Sequence, residues 1–281
     1  MPYLFNSKEL DSETGLYYYG ARYLDSKTSL WLNVDPLVEK YPNISPYAYV
    51  ANNPIGNIDP NGRQIVGITK KDAQTFKEDI HRVLADEKFA GVRALIDVKG
   101  STFKSIDAKA LGAALDGVSL STDEKAYIDM VTNTINSKEV HKVEYLSGDF
   151  TSSEGAMAFK DHMNKTQAGV GDIMLTPEGK LSASIIDGFG SGLNVPTKNG
   201  SHSFIGSGVA GNERAVTSGH ELFGHGIPSA KNFSSKANNA NAIRTDNLIR
   251  RLLGMPERDG SNHGGFDQGH ITEPTKLPIT E

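Results

Sequence analysis

The chain has 281 residues, contains no cysteine and carries a formal net charge of −5. Without cysteine it has no disulfides, thiol nucleophiles, cysteine-ligated zinc or iron–sulfur centres, so a metal site must use His, Asp or Glu. The acidic balance argues against electrostatic binding of nucleic acid, and no apolar run in the sequence is long enough to cross a membrane.

A break in composition near residue 62 predicts two domains. Eight of the ten tyrosines and the single tryptophan precede it, whereas ten of the eleven phenylalanines follow it. The break falls on residues 58–62, Ile-Asp-Pro-Asn-Gly, which are strong turn formers. Before it, the aromatic segments 16–19 and 47–50 predict the strands of a small β-meander.

Helices are predicted for residues 63–138 and strands from Val140 onward. Thr69 is placed as a helix N-cap, and Ser121 opens a capping-box sequence before a second apolar stripe at helical spacing. After Val140, a hairpin is predicted around the turn at 176–179.

Three further segments complete the predicted order of elements. Residues 201–205 are predicted to form a short strand, which could be an edge strand that pairs with an extended substrate. Residues 227–240 are predicted to be a polar loop, and residues 264–281 a flexible tail.

The strongest chemical signal is the sequence His-Glu-Leu-Phe-Gly-His, residues 220–225. The zinc-protease motif H-E-x-x-H places its histidines about 40° apart around a helix, but the extra residue here increases that angle to about 140°. A π-bulge with i→i+5 hydrogen bonds would bring the rings together again, and Gly224 would make such a distortion easier. The pattern therefore predicts a bulged metal-binding helix.

Residues 8–23, Lys-Glu-Leu-Asp-Ser-Glu-Thr-Gly-Leu-Tyr-Tyr-Tyr-Gly-Ala-Arg-Tyr, resemble the C-terminal end of the RHS-repeat-associated core domain, and the likeness extends to residue 62. In that family the core closes a large β-cage and precedes a variable C-terminal toxin. The resemblance implies an RHS-core remnant over 1–62, a toxin domain over 63–281, and self-cleavage after Gly62 by Arg22, Asp35 and Asp59.

The string H-E-x-x-G-H is similar to the motif of the dipeptidyl peptidase III family of zinc peptidases, and more broadly to zincin-type metallopeptidase toxins that follow RHS cores. This resemblance implies zinc as the cofactor. It implies His220 and His225 as zinc ligands and Glu221 as the general base. It also implies a third ligand on a downstream helix, where Asp246 occupies the matching position.

Several residues remain open as partners of this site. Arg250 follows Asp246 by one helical turn and could hold its carboxylate. His263 is the main alternative third ligand, followed by His202. Together with Arg250, these two histidines are also the candidate oxyanion donors.

The fold class predicted is α+β, with a small β-rich RHS-core remnant and a zincin-like domain built from a small sheet and a zinc-binding helix. The predicted function is a polymorphic-toxin effector, a zinc endopeptidase that is cytoplasmic before export and then delivered into target cells. Its expected partners are a target-cell protein, a cognate immunity protein and the RHS cage of a longer parent, with neither nucleic acid nor membrane.

Two other classes of function remain open at this point. One is a metal-dependent nuclease toxin, since the variable tips of RHS proteins are often nucleases. Its candidate histidines are His202, His220, His225, His263 and His270. The other is a catalytically inactive remnant or binding module.

Overall fold

The computed structural model describes residues 9–11, 14–18, 23–25, 27–28, 30–32, 64–166, 175–187, 190–261 and 271–279. The chain divides into two compact units, residues 1–62 and 63–281, and the predicted junction near residue 62 lies at this division. The predicted strand at 47–50 and five of the candidate residues lie outside the described residues: Arg22, Asp35, Asp59, His263 and His270.

The first unit contains an antiparallel meander whose strands pair in chain order. The strands are β1 (Glu9–Leu10), β2 (Tyr17–Tyr18), β3 (Tyr23–Asp25) and β4 (Leu30–Trp31). The turn between β1 and β2 closes where Gly15 N–H donates to the Asp11 carbonyl at 2.8 Å. Gly15 has a φ of +72°, a conformation that glycine adopts without steric cost.

The second unit is built on a mixed sheet that has six strands among the described residues, in the order β6-β7-β5-β8-β10-β9. The strands are β5 (Gln64–Gly67), β6 (Val98–Lys99), β7 (Thr102–Phe103), β8 (Val140–Tyr145), β9 (Gly192–Thr197) and β10 (Gly200–Ile205). Both neighbours of β8 run parallel to it, and β9 pairs antiparallel with β10 at the edge of the described sheet. The predicted α+β class is confirmed.

Helices cover both faces of this sheet. They are α1 (Lys70–Val83), α2 (Ala90–Leu95), α3 (Ala108–Ala114), α4 (Thr122–Ile135), α5 (Ser153–Thr166), α6 (Ala183–Asp187), α7 (Gly211–Gly219), a π-helix (His220–His225), α8 (Gly226–Ala230) and α9 (Ser235–Leu252). The predicted caps are confirmed, because Thr69 with Asp72 and Ser121 with Glu124 form capping boxes.

The two faces of the sheet have separate apolar clusters. On one face Val143 and Ile205 pack with residues of α1, α4, α7, the π-helix, α8 and α9. On the other face Val195 and Phe204 pack with α5 and α6. Because side chains alternate along a strand, neighbouring residues of β10 belong to different clusters. This alternation decides which side chains can reach the π-helix.

Two predictions about the order of elements were wrong. Residues 63–138 are not purely helical, because β5, β6 and β7 lie among the helices. The turn at 176–179 is present, with Gly179 N–H bonded to the Thr176 carbonyl at 2.9 Å, but residues 183–187 after it form α6 instead of a strand. Turn signals locate a reversal of the chain but do not specify the type of the next element.

Two further segments are more ordered than predicted. Within 227–240, α8 ends at Ala230 and α9 begins at Ser235. Of the asparagines that suggested a loop, Asn238 bonds to Ser229 inside the fold. In the predicted flexible tail, Ile271 is buried and Ile279 N–H donates to Asn241 Oδ1 at 2.7 Å. Residues 271–279 therefore pack against α9.

The predicted edge strand at 201–205 exists as β10, but it lies between β8 and β9. Both of its backbone edges are used in the sheet, so it cannot pair with a substrate. In the described sheet that position belongs to β9. Among the described helices, none has both the length and the apolar character that crossing a membrane requires.

Candidate active site

The six residues His220 to His225 form the π-helix that the histidine spacing predicts. It continues α7 and runs directly into α8, so it is a local change of hydrogen bonding within one longer helical segment. The wider turn brings the rings of His220 and His225 to a centroid distance of 5.0 Å, nearly perpendicular to each other. The extra residue in the motif is thus absorbed without separating the two histidines.

Close packing on α9 accounts for the glycine in the motif. A Cβ on Gly224 would lie 2.8 Å from Ala242 Cα, and a Cβ on Gly219 would lie 2.2 Å from Ile249 Cδ1. Neither glycine has a positive φ. Gly224 therefore serves the close approach of two helices, in addition to any ease it gives the π-helix.

Each histidine ring contacts an acceptor on α9 through its Nδ1 atom. His220 Nδ1 lies 3.4 Å from Asp246 Oδ2, and His225 Nδ1 bonds to Asn238 Oδ1. Both acceptors favour the tautomer with the proton on Nδ1, which leaves the lone pair on Nε2. Metal-binding histidines usually have this arrangement, in which the other ring nitrogen donates to an oxygen.

Asp246 is held by two arginines as well as by His220. Arg250 Nε donates to Oδ1 at 2.5 Å, and Arg258 Nη1 donates to Oδ2 at 3.2 Å. Burial alone would raise the pKa of Asp246, but the His220 contact and the Arg250 charge outweigh burial and lower the pKa to about 2. The predicted Arg250–Asp246 pair is therefore present, whereas these contacts suit a carboxylate that orients His220 better than a metal ligand.

Glu221 is buried between the π-helix and the sheet. A Cβ on Gly192 would lie 2.7 Å from Glu221 Cγ, so the start of β9 touches this side chain. No described residue gives its buried Oε2 atom a hydrogen-bond partner. Burial raises the pKa of Glu221 to about 7, with nearby His220 lowering it and Asp246 raising it. A buried carboxyl with an unmet acceptor and a pKa near neutrality is characteristic of a functional site.

His202 lies on the other face of the sheet. Its neighbour Ser201 faces the π-helix side, where a Cβ on Gly226 would lie 2.7 Å from Ser201 Oγ. His202 Nε2 is 2.9 Å from Glu144 Oε2, and its ring stacks on Phe204 with centroids 4.5 Å apart. The structure therefore does not bring His202 to the histidine pair, either as a third ligand or as an oxyanion donor.

In the described part of the chain, no group of three or more His, Asp or Glu side chains is arranged to hold a metal ion. Two further residues of the site, Asn238 beside His225 and Arg258 beside Asp246, were not predicted from the sequence. Asn238 was missed because residues 227–240 were predicted to be a loop, and no local signal links Arg258 to Asp246, twelve positions earlier.

No family model matches the chain, and no solved structure was found to match it. Salivary gland surface protein 1 of Aedes aegypti is 42% identical over 59 residues, 21% of this chain and 2% of that protein. The tRNA nuclease WapA of Bacillus subtilis (strain 168) is 36% identical over 66 residues, 22% of this chain and 3% of that protein. Toxin subunit YenC2 of Yersinia entomophaga is 34% identical over 80 residues, 28% of this chain and 8% of that protein.

Over part of its length, the chain is similar to a toxin subunit and to a tRNA nuclease. The matched segments represent at most 8% of these relatives. The similarity to these much longer proteins therefore covers only part of this chain. The chemistry of the π-helix follows from its own residues.

Proposed function

We propose that residues 63–281 form a zinc-dependent endopeptidase that acts as a toxin effector. One observation carries the proposal. The π-helix brings His220 and His225 to one place and buries Glu221 beside them with an unmet acceptor. The π-helix compensates for the additional residue between the two histidines, so both rings lie on one side of the helix, as a zinc-binding helix requires.

The donor set fits zinc in part. His220 and His225 would hold the ion, each with Nδ1 directed to an oxygen on α9. A catalytic zinc site has three protein ligands, and Asp246 already has two arginine partners. Both predicted candidates for the third ligand stay open: Asp246, and its alternative His263, which lies outside the described residues. A bound zinc ion would supply Lewis acidity, which polarises a carbonyl and activates water.

Glu221 would serve as the general base. Burial raises its pKa to about 7 in the metal-free chain, and a carboxylate at this position can take a proton from water and return it to the leaving amine. Its Oε2 atom is buried and has no hydrogen-bond partner among the described residues, so it can accept a hydrogen bond from a molecule that enters the site. Asp246 contributes by holding the ring of His220.

The sheet edge favours a peptide as substrate. The outer edge of β9 is not paired by any described strand, and the first residue of β9 lies against Glu221. An extended peptide could add to β9 by backbone hydrogen bonds and so place its scissile bond near the general base. The net charge of −5 disfavours a polyanionic substrate by comparison.

The role as a toxin rests on the partial similarity to the toxin subunit and the nuclease, together with the RHS-core resemblance of residues 1–62. On this proposal the first unit belongs to an RHS cage in a longer parent, which releases the peptidase into a target cell. A cognate immunity protein would protect the producing cell, and the substrate would be a protein of the target cell.

Metal analysis combined with peptide cleavage tests the proposal. The purified chain should contain about one zinc per molecule by mass spectrometry, with three protein ligands. It should cleave peptides in a proteome-derived library, and Glu221→Gln should slow cleavage at least about 100-fold while retaining zinc. The matched control is Glu87→Gln, because the Glu87 side chain is 90% exposed and lies on the surface.

Three results would contradict the proposal. The wild-type chain could bind no zinc, or cleavage could persist unchanged in the Glu221 variant. Alternatively, the chain could leave the peptides intact and cleave tRNA in a Glu221-dependent manner, which would favour the nuclease. A His263→Ala variant that keeps its zinc would exclude His263 and leave Asp246 as the predicted third ligand.

A further inference from the structure

We infer that Asn238 is a positioning residue that fixes the ring of His225, and that a chain of hydrogen bonds links this ring to the sheet edge through Asn194. The inference rests on the proposed function in treating His225 as a metal ligand. The orientation of the ring itself follows from hydrogen-bond donors and acceptors, and it can be measured in the metal-free protein.

The amide of Asn238 can point in only one direction. Its Nδ2 donates to the His225 carbonyl at 3.3 Å and to Ser229 Oγ at 2.9 Å. A backbone carbonyl can only accept, so the NH₂ group must occupy that end and Oδ1 must face His225 Nδ1. Since an amide oxygen can only accept, His225 Nδ1 carries the proton and Nε2 carries the lone pair.

The chain continues with consistent polarity toward β9. Ser229 Oγ accepts from Asn238 and donates to Asn194 Oδ1 at 3.3 Å. The Asn194 amide then donates from Nδ2 to Ser203 Oγ at 2.8 Å. No link requires a group to donate where it can only accept, so the four side chains form one directed chain from α9 through α8 to β9 and β10.

Tight packing keeps this chain in place. A Cβ on Gly226 would lie 2.7 Å from Ser201 Oγ and 3.5 Å from Asn194 Nδ2, so α8 rests directly on the sheet at this point. Asn238 and Ser229 are half-buried, and Ser203 is fully buried. A hydrogen bond shielded from water in this way constrains geometry more strongly than an exposed one.

Strand β9 therefore contacts Glu221 directly and is linked to His225 indirectly. Gly192 at its start touches Glu221, and Asn194 two positions later is joined to His225 through Ser229 and Asn238. A peptide that paired with β9 would therefore contact the strand that packs against Glu221 and that is linked to His225 by hydrogen bonds. The other ligand, His220, is oriented separately by Asp246.

Histidine tautomers in the full chain test the inference directly. Long-range ¹⁵N–¹H spectra of the metal-free protein at mildly alkaline pH should show His225 with its proton on Nδ1. Asn238→Ala should remove this preference, whereas Asn239→Ala, the same change one position along α9, should leave it intact. Zinc affinity from chelator competition should fall about 10- to 100-fold in Asn238→Ala and change little in the control.

A conservative variant distinguishes positioning from general stability. Asn238→Asp retains an oxygen facing His225 Nδ1, so it should preserve the tautomer even if α9 is less stable. If Asn238→Ala does not fold, the tautomer in Asn238→Asp still tests the inference. A folded Asn238→Ala protein that keeps the proton on Nδ1, or an Asn238→Asp protein that loses it, would overturn the inference. If the wild type binds no zinc but the tautomers change as expected, the proposed function fails and the positioning role stands.

Discussion

Replacing Glu221 by glutamine is expected to stabilise the metal-free protein at neutral and alkaline pH. Glutamine has nearly the shape of glutamate and never ionises, so the change removes the cost of a buried charge. Burial raises the pKa of Glu221 from 4.5 to about 7 in the folded chain. That shift corresponds to about 3 kcal/mol between the protonated and ionised forms.

The direction of the pH dependence follows from proton counts. Below pH 4.5 Glu221 holds its proton in both states, so its titration has no effect on stability. Between pH 4.5 and 7 the folded state keeps a proton that the unfolded state has lost, so the free energy of unfolding falls as pH rises. Above pH 7 the full penalty of about 3 kcal/mol is present, and the variant lacks it.

Urea denaturation of the chelator-treated protein across this pH range measures the effect. The difference between Glu221→Gln and the wild type should be near zero at pH 4 and grow to about 3 kcal/mol at pH 8. Asp246 titrates below this window because its pKa is about 2, so it does not contribute to the change. Two parallel stability curves, offset equally at every pH, would refute the assignment of a raised pKa to Glu221.

Three further predictions concern the surroundings of the site. Gly224→Ala should lower stability by about 1–3 kcal/mol in thermal unfolding because its Cβ would press on the α9 backbone. Gly208→Ala, where a Cβ would meet open space, is the control. Asp246→Ala should cost about 3–5 kcal/mol at neutral pH because two arginines lose their shared partner, and this cost should shrink as the wild type is acidified toward pH 2. His202→Ala should leave zinc content unchanged while destabilising the protein, since the buried Glu144 keeps its Ser152 contacts but loses the one with His202; loss of zinc would place His202 at the metal.

Features that depend on residues close together in the sequence could be predicted. The caps at Thr69 and Ser121 depend on side chains three positions apart, so the pattern contains the whole interaction. The π-helix could be predicted because metal chemistry requires His220 and His225 on one side of the helix, and only one kind of distortion brings them there.

Features that depend on distant residues could not be predicted. The position of β10 inside the sheet depends on its pairing with β9. The sequence of β9 gives only a weak strand signal because it contains Gly192 and Pro196. Spacing alone linked Asp246 with the arginine one turn away, but the second arginine reaches it only through the fold. Both arginines contact the Asp246 carboxylate, and only Arg250 is near it in the sequence.

The parallel pairing of β8 has a consequence for the order in which the protein folds. Val140 pairs with Gln64 on one side and Gly200 on the other, so the centre of the sheet forms only after two long stretches of chain have been closed into loops. Such long-range parallel contacts fold slowly compared with the helices beside them. The helices should therefore form before the sheet is complete, and the burial of Glu221 against β9 should be among the later events of folding.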